Sequence, residues 1–271
     1  MHLIDTHTHL TMPEYADSLP AVLARARQVG VRQCIAVGTD LPDSRAALQL
    51  CTQHEGLFCI VGVHPHQAAH AEPGYLAELA QLAQQPPVCA VGEIGLDYHY
   101  DFSPPDRQRA VFTELLDLAA RLDKPVVIHC REALDEGLAI LAEWNRPAAK
   151  VVFHCFSGDR AQARRVLDAG CSLSFTGVLT FAKADALRQA AAYAPLDRIL
   201  LETDCPYLSP EPKRAVRPNE PAFLTYVAEK LAQLRAQNAE EIADATTANA
   251  QAFFALHRPR TAAQPPDRRG A

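Results

Sequence analysis

Eight short apolar runs recur along this 271-residue chain, each followed by a helix-like stretch, and most close on a polar residue. They read "HLIDTHTH", "QCIAVG", "FCIVGVH", "VCAVGEIG", "PVVIHC", "KVVFHC", "SLSFTG" and "ILLETD". Between them lie amphipathic segments such as "LPAVLARARQVG", "SRAALQLCTQH", "DRQRAVFTELLDLAARLD" and "RAQARRVLDAG", several ending in Gly as helices do. Strands that alternate with helices pair in parallel, and near-continuous apolar strands are those covered on both faces. Eight such units in about 250 residues predict an α/β fold, a single-domain (β/α)8 TIM barrel, with an open doubly wound sheet as the rival. The count of eight and the polar strand ends favour the barrel. Two further runs, "EPAFLTYVAEKLAQLRAQ" and "NAEEIADATTANAQAFFAL", predict extra C-terminal helices. The domain is expected over 1–257, and 258–271, basic, Pro-rich and without periodicity, is expected to be a disordered tail.

In a barrel the C-terminal strand ends converge on one mouth. The first run holds "IDTHTHL", in which Asp5, His7 and His9 share one face of an extended strand. The other ends contribute His64, Glu93, His129, His154, and Glu202 with Asp204. Crowded imidazoles and carboxylates cannot all satisfy one another, and a divalent ion resolves the conflict. His7, His9, Glu93, His129, His154 and Asp204 are six ligands, too many for one tetrahedral ion but suited to two ions sharing a carboxylate. Glu93 is placed to be the bridge, since "VCAVGEIGLD" has no lysine and Lys124 precedes the fifth strand, at the opposite rim. Imidazole ligation favours Zn, Mn or Fe, while Mg suits phosphoryl chemistry but prefers oxygen. Glu202, deeper than Asp204, is expected to orient a histidine.

Other signals near the mouth are weaker. Arg131 is read either as a phosphate contact or as an ion pair with Glu132, Asp135 or Glu202. Lys183, Lys213, Arg214 and Arg217 follow strands seven and eight, where barrels bind phosphate, but solvated loop charges carry the same pattern. His66, His70 and His99 have no distinguishing spacing, and Tyr98 with His99 is read as packed loop or as a base-stacking pair.

The bulk properties exclude some classes. A formal net charge of −6 argues against a broad electrostatic nucleic-acid footprint. No stretch approaches about 20 uninterrupted apolar residues, so no membrane span is expected. The start lacks the layout of a signal peptide. Eight scattered cysteines without a C-x-x-C pair read as reduced thiols, which places the chain in the cytoplasm. The sequence leaves the oligomeric state open, with a monomer favoured.

Taken together, "IDTHTHL", "VGVHPH", "VGEIGLDYHYD", "KPVVIHCREA", "FHCFSG", "LSFTGVLTFAK", "LLETDCPYLSPEP" and "RPNEP" resemble the TatD family of metal-dependent hydrolases, in family order from residue 3 to about 221. The resemblance implies a TIM barrel and a DNase with 3′-to-5′ exonuclease action on single-stranded DNA. It implies that His7, His9, Glu93 and Asp204 hold one metal, that Glu93, His129 and His154 hold the second, and that His64 contacts the substrate phosphate. Asp204 and Glu93 are the catalytic candidates, with Asp204 accepting the proton of the attacking water or acting only as a ligand. Arg131 and Lys183 are the further substrate-binding candidates. The chain departs from the family after "YLSPEP", where Lys213–Pro218 replaces the usual Arg-Gly start and has no glycine, so a mouth loop is altered. The alternative activity is a small-molecule hydrolase, acting on an amide, lactone or phosphoester with the same two-metal site.

Overall fold

A computed structural model describes residues 1–146 and 150–256, so the expected tail and His257 lie outside the described residues. The eight expected strands are all present: β1 (Leu3–Thr8), β2 (Val31–Val37), β3 (Leu57–Val61), β4 (Val88–Asp97), β5 (Val126–Arg131), β6 (Val151–Phe153), β7 (Ser172–Phe175) and β8 (Ile199–Leu201). They pair in parallel in chain order. The β1–β8 seam is closed by backbone bonds, Asp204 N to His7 O at 3.1 Å and His9 N to Cys205 O at 2.8 Å. The open-sheet rival is thereby excluded.

The helices are α1 (Leu19–Gln28), α2 (Leu41–Gln53), α3 (Tyr75–Ala83), α4 (Pro105–Leu122), α5 (Leu134–Trp144), α6 (Arg160–Asp168), α7 (Asp185–Tyr193), α8 (Leu224–Arg235) and α9 (Ala239–Phe254). The last two are the expected C-terminal additions. Local chemistry sets their starts. The Asp40 carboxylate accepts the Asp43 amide at 2.8 Å, so α2 begins three residues before the expected Ser44. Asp159 and Gln162 form a capping box on α6.

Two apolar layers hold the barrel. One lies between strands and helices and includes Leu3, Cys34, Val61, Phe112, Phe153 and Leu231. The other joins Ile4, Val37, Ile60, Ala90, Val127, Val152 and Leu200 with Phe254 and Leu256. Residues from seven strands meet in one cluster only inside the barrel, so the end of α9 plugs its floor. β4 is the longest strand, and Gly95 lets it lie against β5: its φ is +138°, and a Cβ there would stand 2.0 Å from His129 O. No helix among the described residues is long and apolar enough to cross a membrane.

Candidate metal centre

Five strands bring six side chains to the barrel mouth. His7 lies in β1 and His9 just past it, Glu93 in β4, His129 in β5, His154 directly after β6, and Asp204 beyond β8. Glu93 is central. Its Oε2 lies 3.2 Å from His7 Nε2, whereas its Oε1 lies 2.7 Å from His154 Nε2 and 2.9 Å from His129 Nδ1. One carboxylate therefore addresses two different sets of imidazoles. Asp204 Oδ1 lies 3.3 Å from His9 Nε2 and 3.9 Å from His7 Nε2. His7, His9 and Asp204 offer ligand atoms within 4.8 Å of one another, and so do Glu93, His129 and His154.

These residues fit divalent ions. Although Glu93 Oε2 is close, both ring nitrogens of His7 are buried without an aligned hydrogen bond. Polar atoms orphaned at that depth are destabilising unless something satisfies them. The His7 ring also stacks on that of His154, 3.9 Å between centroids and 10° from parallel. Four imidazoles and two carboxylates are a donor set for Zn, Mn or Fe.

The charges follow the geometry. Burial opposes ionisation of Glu93, but the imidazoles of His154, His64 and His7 outweigh it and hold the carboxyl well below its usual range. Burial also opposes charge on His154, His129 and His9, yet their carboxylate neighbours raise all three. His7 is lowered, by burial and by His154 beside it. Asp204 is lowered because His9 outweighs its burial. Imidazoles that hold protons in this way release them when a cation binds.

A second ring of residues fixes these groups. As expected of it, Glu202 lies behind a histidine: its Oε1 is 3.3 Å from His154 Nδ1 and accepts the Cys155 amide at 2.6 Å. Asp5 does not join His7 and His9. The pairing of β1 with β2 shifts between Asp5 and Thr8, which breaks the plain alternation of faces. Asp5 instead accepts the Thr203 amide at 2.9 Å and its hydroxyl at 2.6 Å, and burial pushes its carboxyl up to about 8 against those donors. That grip holds the turn in which Asp204 takes a φ of 54°, a conformation Asp tolerates better than most residues. Asn219 secures the same turn by donating to Thr203 O and Tyr207 O.

His64 is oriented differently from the six. Its Nδ1 accepts the His66 amide at 3.1 Å, so its proton sits on Nε2, 3.4 Å from Glu93 Oε1. Burial pushes its pKa down to about 4, and the ring stays neutral. It presents an N–H donor to the centre.

Sequence reading missed Asp97 and underrated His66. The Asp97 Oδ2 accepts His129 Nε2 at 2.8 Å and His66 Nε2 at 2.9 Å, which leaves His129 Nδ1 to face Glu93. Burial opposes its charge, but hydrogen bonds from His129, Tyr100 N and His66 hold it well below the usual carboxylate range. The available signal was position, because residues 93, 95 and 97 share one face of a strand.

The remaining candidates separate. Arg131 is exposed and has no ion pair among the described residues; Glu132 pairs with His99 and Asp135 with Arg165. Its guanidinium lies 4.9 Å from the Tyr100 ring centre. Lys183 is exposed in the segment before α7, and no contact joins it to the six. Arg214 stacks over Phe181 at 3.8 Å and Arg217 donates to the carbonyls of Arg214 and Val216, so the altered loop is pinned at the surface. Tyr98 is half-buried and donates to Glu136, which fits the packed-loop reading, whereas His99 is exposed and pairs with Glu132 at the surface.

Known proteins share this arrangement of sequence and fold. The profile of the family described as TatD related DNase matches residues 4–255. The metal-dependent hydrolase YabD of Bacillus subtilis is 38% identical over 94% of the chain and its own full length. The 3′-5′ ssDNA/RNA exonuclease TatD of Klebsiella pneumoniae is 36% identical over 94% of the chain and 98% of its own length. Among solved structures, the TatD homologue YjjV of Escherichia coli superposes with a TM-score of 0.88 at 33% identity, covering 94% of this chain and 98% of that one.

Proposed function

The chain belongs to the family of TatD-related DNases, a family of metal-dependent hydrolases acting on ester bonds, and from that premise we propose that it degrades single-stranded DNA from the 3′ end with two divalent metal ions. The observation that carries the two-ion reading is the two-sided contact of Glu93, Oε2 toward His7 and Oε1 toward His129 and His154. In this reading His7, His9, Glu93 and Asp204 hold one ion and Glu93, His129 and His154 the other. Bound there, Zn, Mn, Fe or Mg supplies Lewis acidity and a water acidic enough to attack at neutral pH.

The protein's own groups do the rest. The Asp204 carboxylate, anionic at the rim beside His9, takes the proton of the attacking water. The neutral His64 donates its Nε2–H to a phosphate oxygen. Arg131, free of carboxylate partners, pairs with the backbone phosphates of the strand. Lys183 adds a positive charge on the β7 side. All eight cysteines are free thiols, which supports a cytoplasmic enzyme held together without disulfides, and we take its working form to be a monomer.

Metal-stripped protein, incubated with 3′- and 5′-labelled single-stranded DNA and resupplied with Mg²⁺, Mn²⁺ or Zn²⁺, should produce a ladder from the 3′ end that Glu93→Ala abolishes. The net charge of −6 favours a second reading, a small-molecule hydrolase. Absence of DNA cleavage with every metal, alongside turnover of small esters, lactones or amides, would establish that reading instead.

A further inference from the structure

We propose that Tyr100 and Phe102, in the loop after β4, form a platform on which an unpaired nucleobase of the substrate strand stacks; this rests on the nuclease reading above. Phe102 is the most exposed large apolar side chain among the described residues, at 60%, and Tyr100 is 42% exposed. Their rings stack, 5.3 Å between centroids and 28° from parallel. Large rings left in water as a pair mark a binding surface rather than a core.

Three buried side chains hold the loop. The Asp97 Oδ1 accepts the amides of His99 and Tyr100 at 3.0 and 3.1 Å. The Ser103 hydroxyl donates to His66 O and accepts the Ala69 amide. Gln108 Nε2 donates to the carbonyls of Asp97 and Ser103. The rings are therefore presented by a fixed backbone, so little ordering remains for the moment of binding.

The platform adjoins the metal centre. The His66 ring touches Phe102 at 4.8 Å and Tyr100 at 5.4 Å, and lies 6.0 Å from His129. Asp97 ties His66 to His129, so one imidazole separates the platform from a residue facing Glu93. The unpaired guanidinium of Arg131 lies over Tyr100, matching a base linked to an anionic phosphodiester. On the His9 flank, Tyr207 offers a further exposed ring 5.8 Å from His9. Bases inside a duplex keep their faces covered, so the platform selects single strands, and it does so despite the acidic net charge of the chain.

The test uses full-length Mn²⁺-loaded protein and 5′-labelled single-stranded oligonucleotides, intact or with one abasic nucleotide moved stepwise from the 3′ end. Tyr100→Ala combined with Phe102→Ala should lower kcat/KM about 5- to 150-fold, the equivalent of about 1–3 kcal/mol per stacked base. One abasic position should slow the wild type by a similar factor and have no further effect on the double variant. Tyr100→Phe with Phe102→Tyr should behave as wild type. The fluorescence of 2-aminopurine at that position should be quenched by metal-stripped wild type and not by the Ala variant. Unchanged kcat/KM, abasic sensitivity and quenching in the Ala variant of a protein that cleaves DNA would overturn the platform and leave the nuclease standing. A wild type that neither cleaves nor binds single-stranded DNA would overturn both.

Discussion

Asp97 accepts from His129 Nε2 and so decides which nitrogen of that ring faces Glu93. Asp97→Asn should therefore weaken metal binding about 10- to 100-fold, read by competition with a chelator; an unchanged affinity would reduce Asp97 to a loop anchor. Asp204→Asn should keep the melting temperature within a few degrees while turnover falls about 100-fold or more, because a ligand-competent side chain remains but the proton acceptor does not. Protons and metal compete for the same imidazoles. His9, His129 and His154 are raised by their carboxylate neighbours, so each is protonated to a higher pH than a free histidine. Metal affinity should then fall as pH drops below those raised values and level off above them, with protons released on binding, as calorimetry in buffers of different ionisation enthalpy would show. The six candidate ligands were legible because each ends or follows an apolar strand. Asp97 lay two strand positions beyond Gly95 on the face of Glu93, but its partnership with His66 and His129 crosses from the β3 loop to β4 and β5, and no local spacing encodes that.

At the scale of elements, β4 carries the most. It holds Glu93, passes Gly95 against β5, and ends at Asp97. Gly95→Ala should destabilise by about 1–3 kcal/mol or more, seen as a lower urea midpoint, since a Cβ would meet His129 O and the backbone is left-handed there. Phe254→Ala, at the floor of the barrel, should cost about 3–5 kcal/mol by the same measurement. Among the described residues the eight strands and nine α-helices stand where the apolar patterning put them, because burial imposes that pattern. Boundaries were less legible: the start of α2 depends on the Asp40 side chain, and Pro221–Phe223 forms a short 3-10 turn before α8. In the β4 loop the pattern pointed to Tyr98 and His99, yet Glu136 and Glu132 hold those two and leave Tyr100 and Phe102 outward.

At the scale of the whole molecule, the barrel works as a frame that brings distant residues, His7 and Asp204 among them, within a few ångströms. The fold was readable because eight repeats of one unit have few ways to close. The substrate was not, because it is set by mouth loops whose side chains pair across the sequence. Since the proposed ions bind only the folded barrel, stripping them should lower the melting temperature; at free metal 100 times the dissociation constant each ion contributes about 2.7 kcal/mol. In the proposed function Glu93 joins the two ions. Titrating metal-stripped protein with Mn²⁺ while recording electron paramagnetic resonance tests it directly. Two ions per chain with a spin-coupled signal that Glu93→Gln abolishes are expected; one ion per chain, or two uncoupled ions in the wild type, would overturn the bridging role of Glu93.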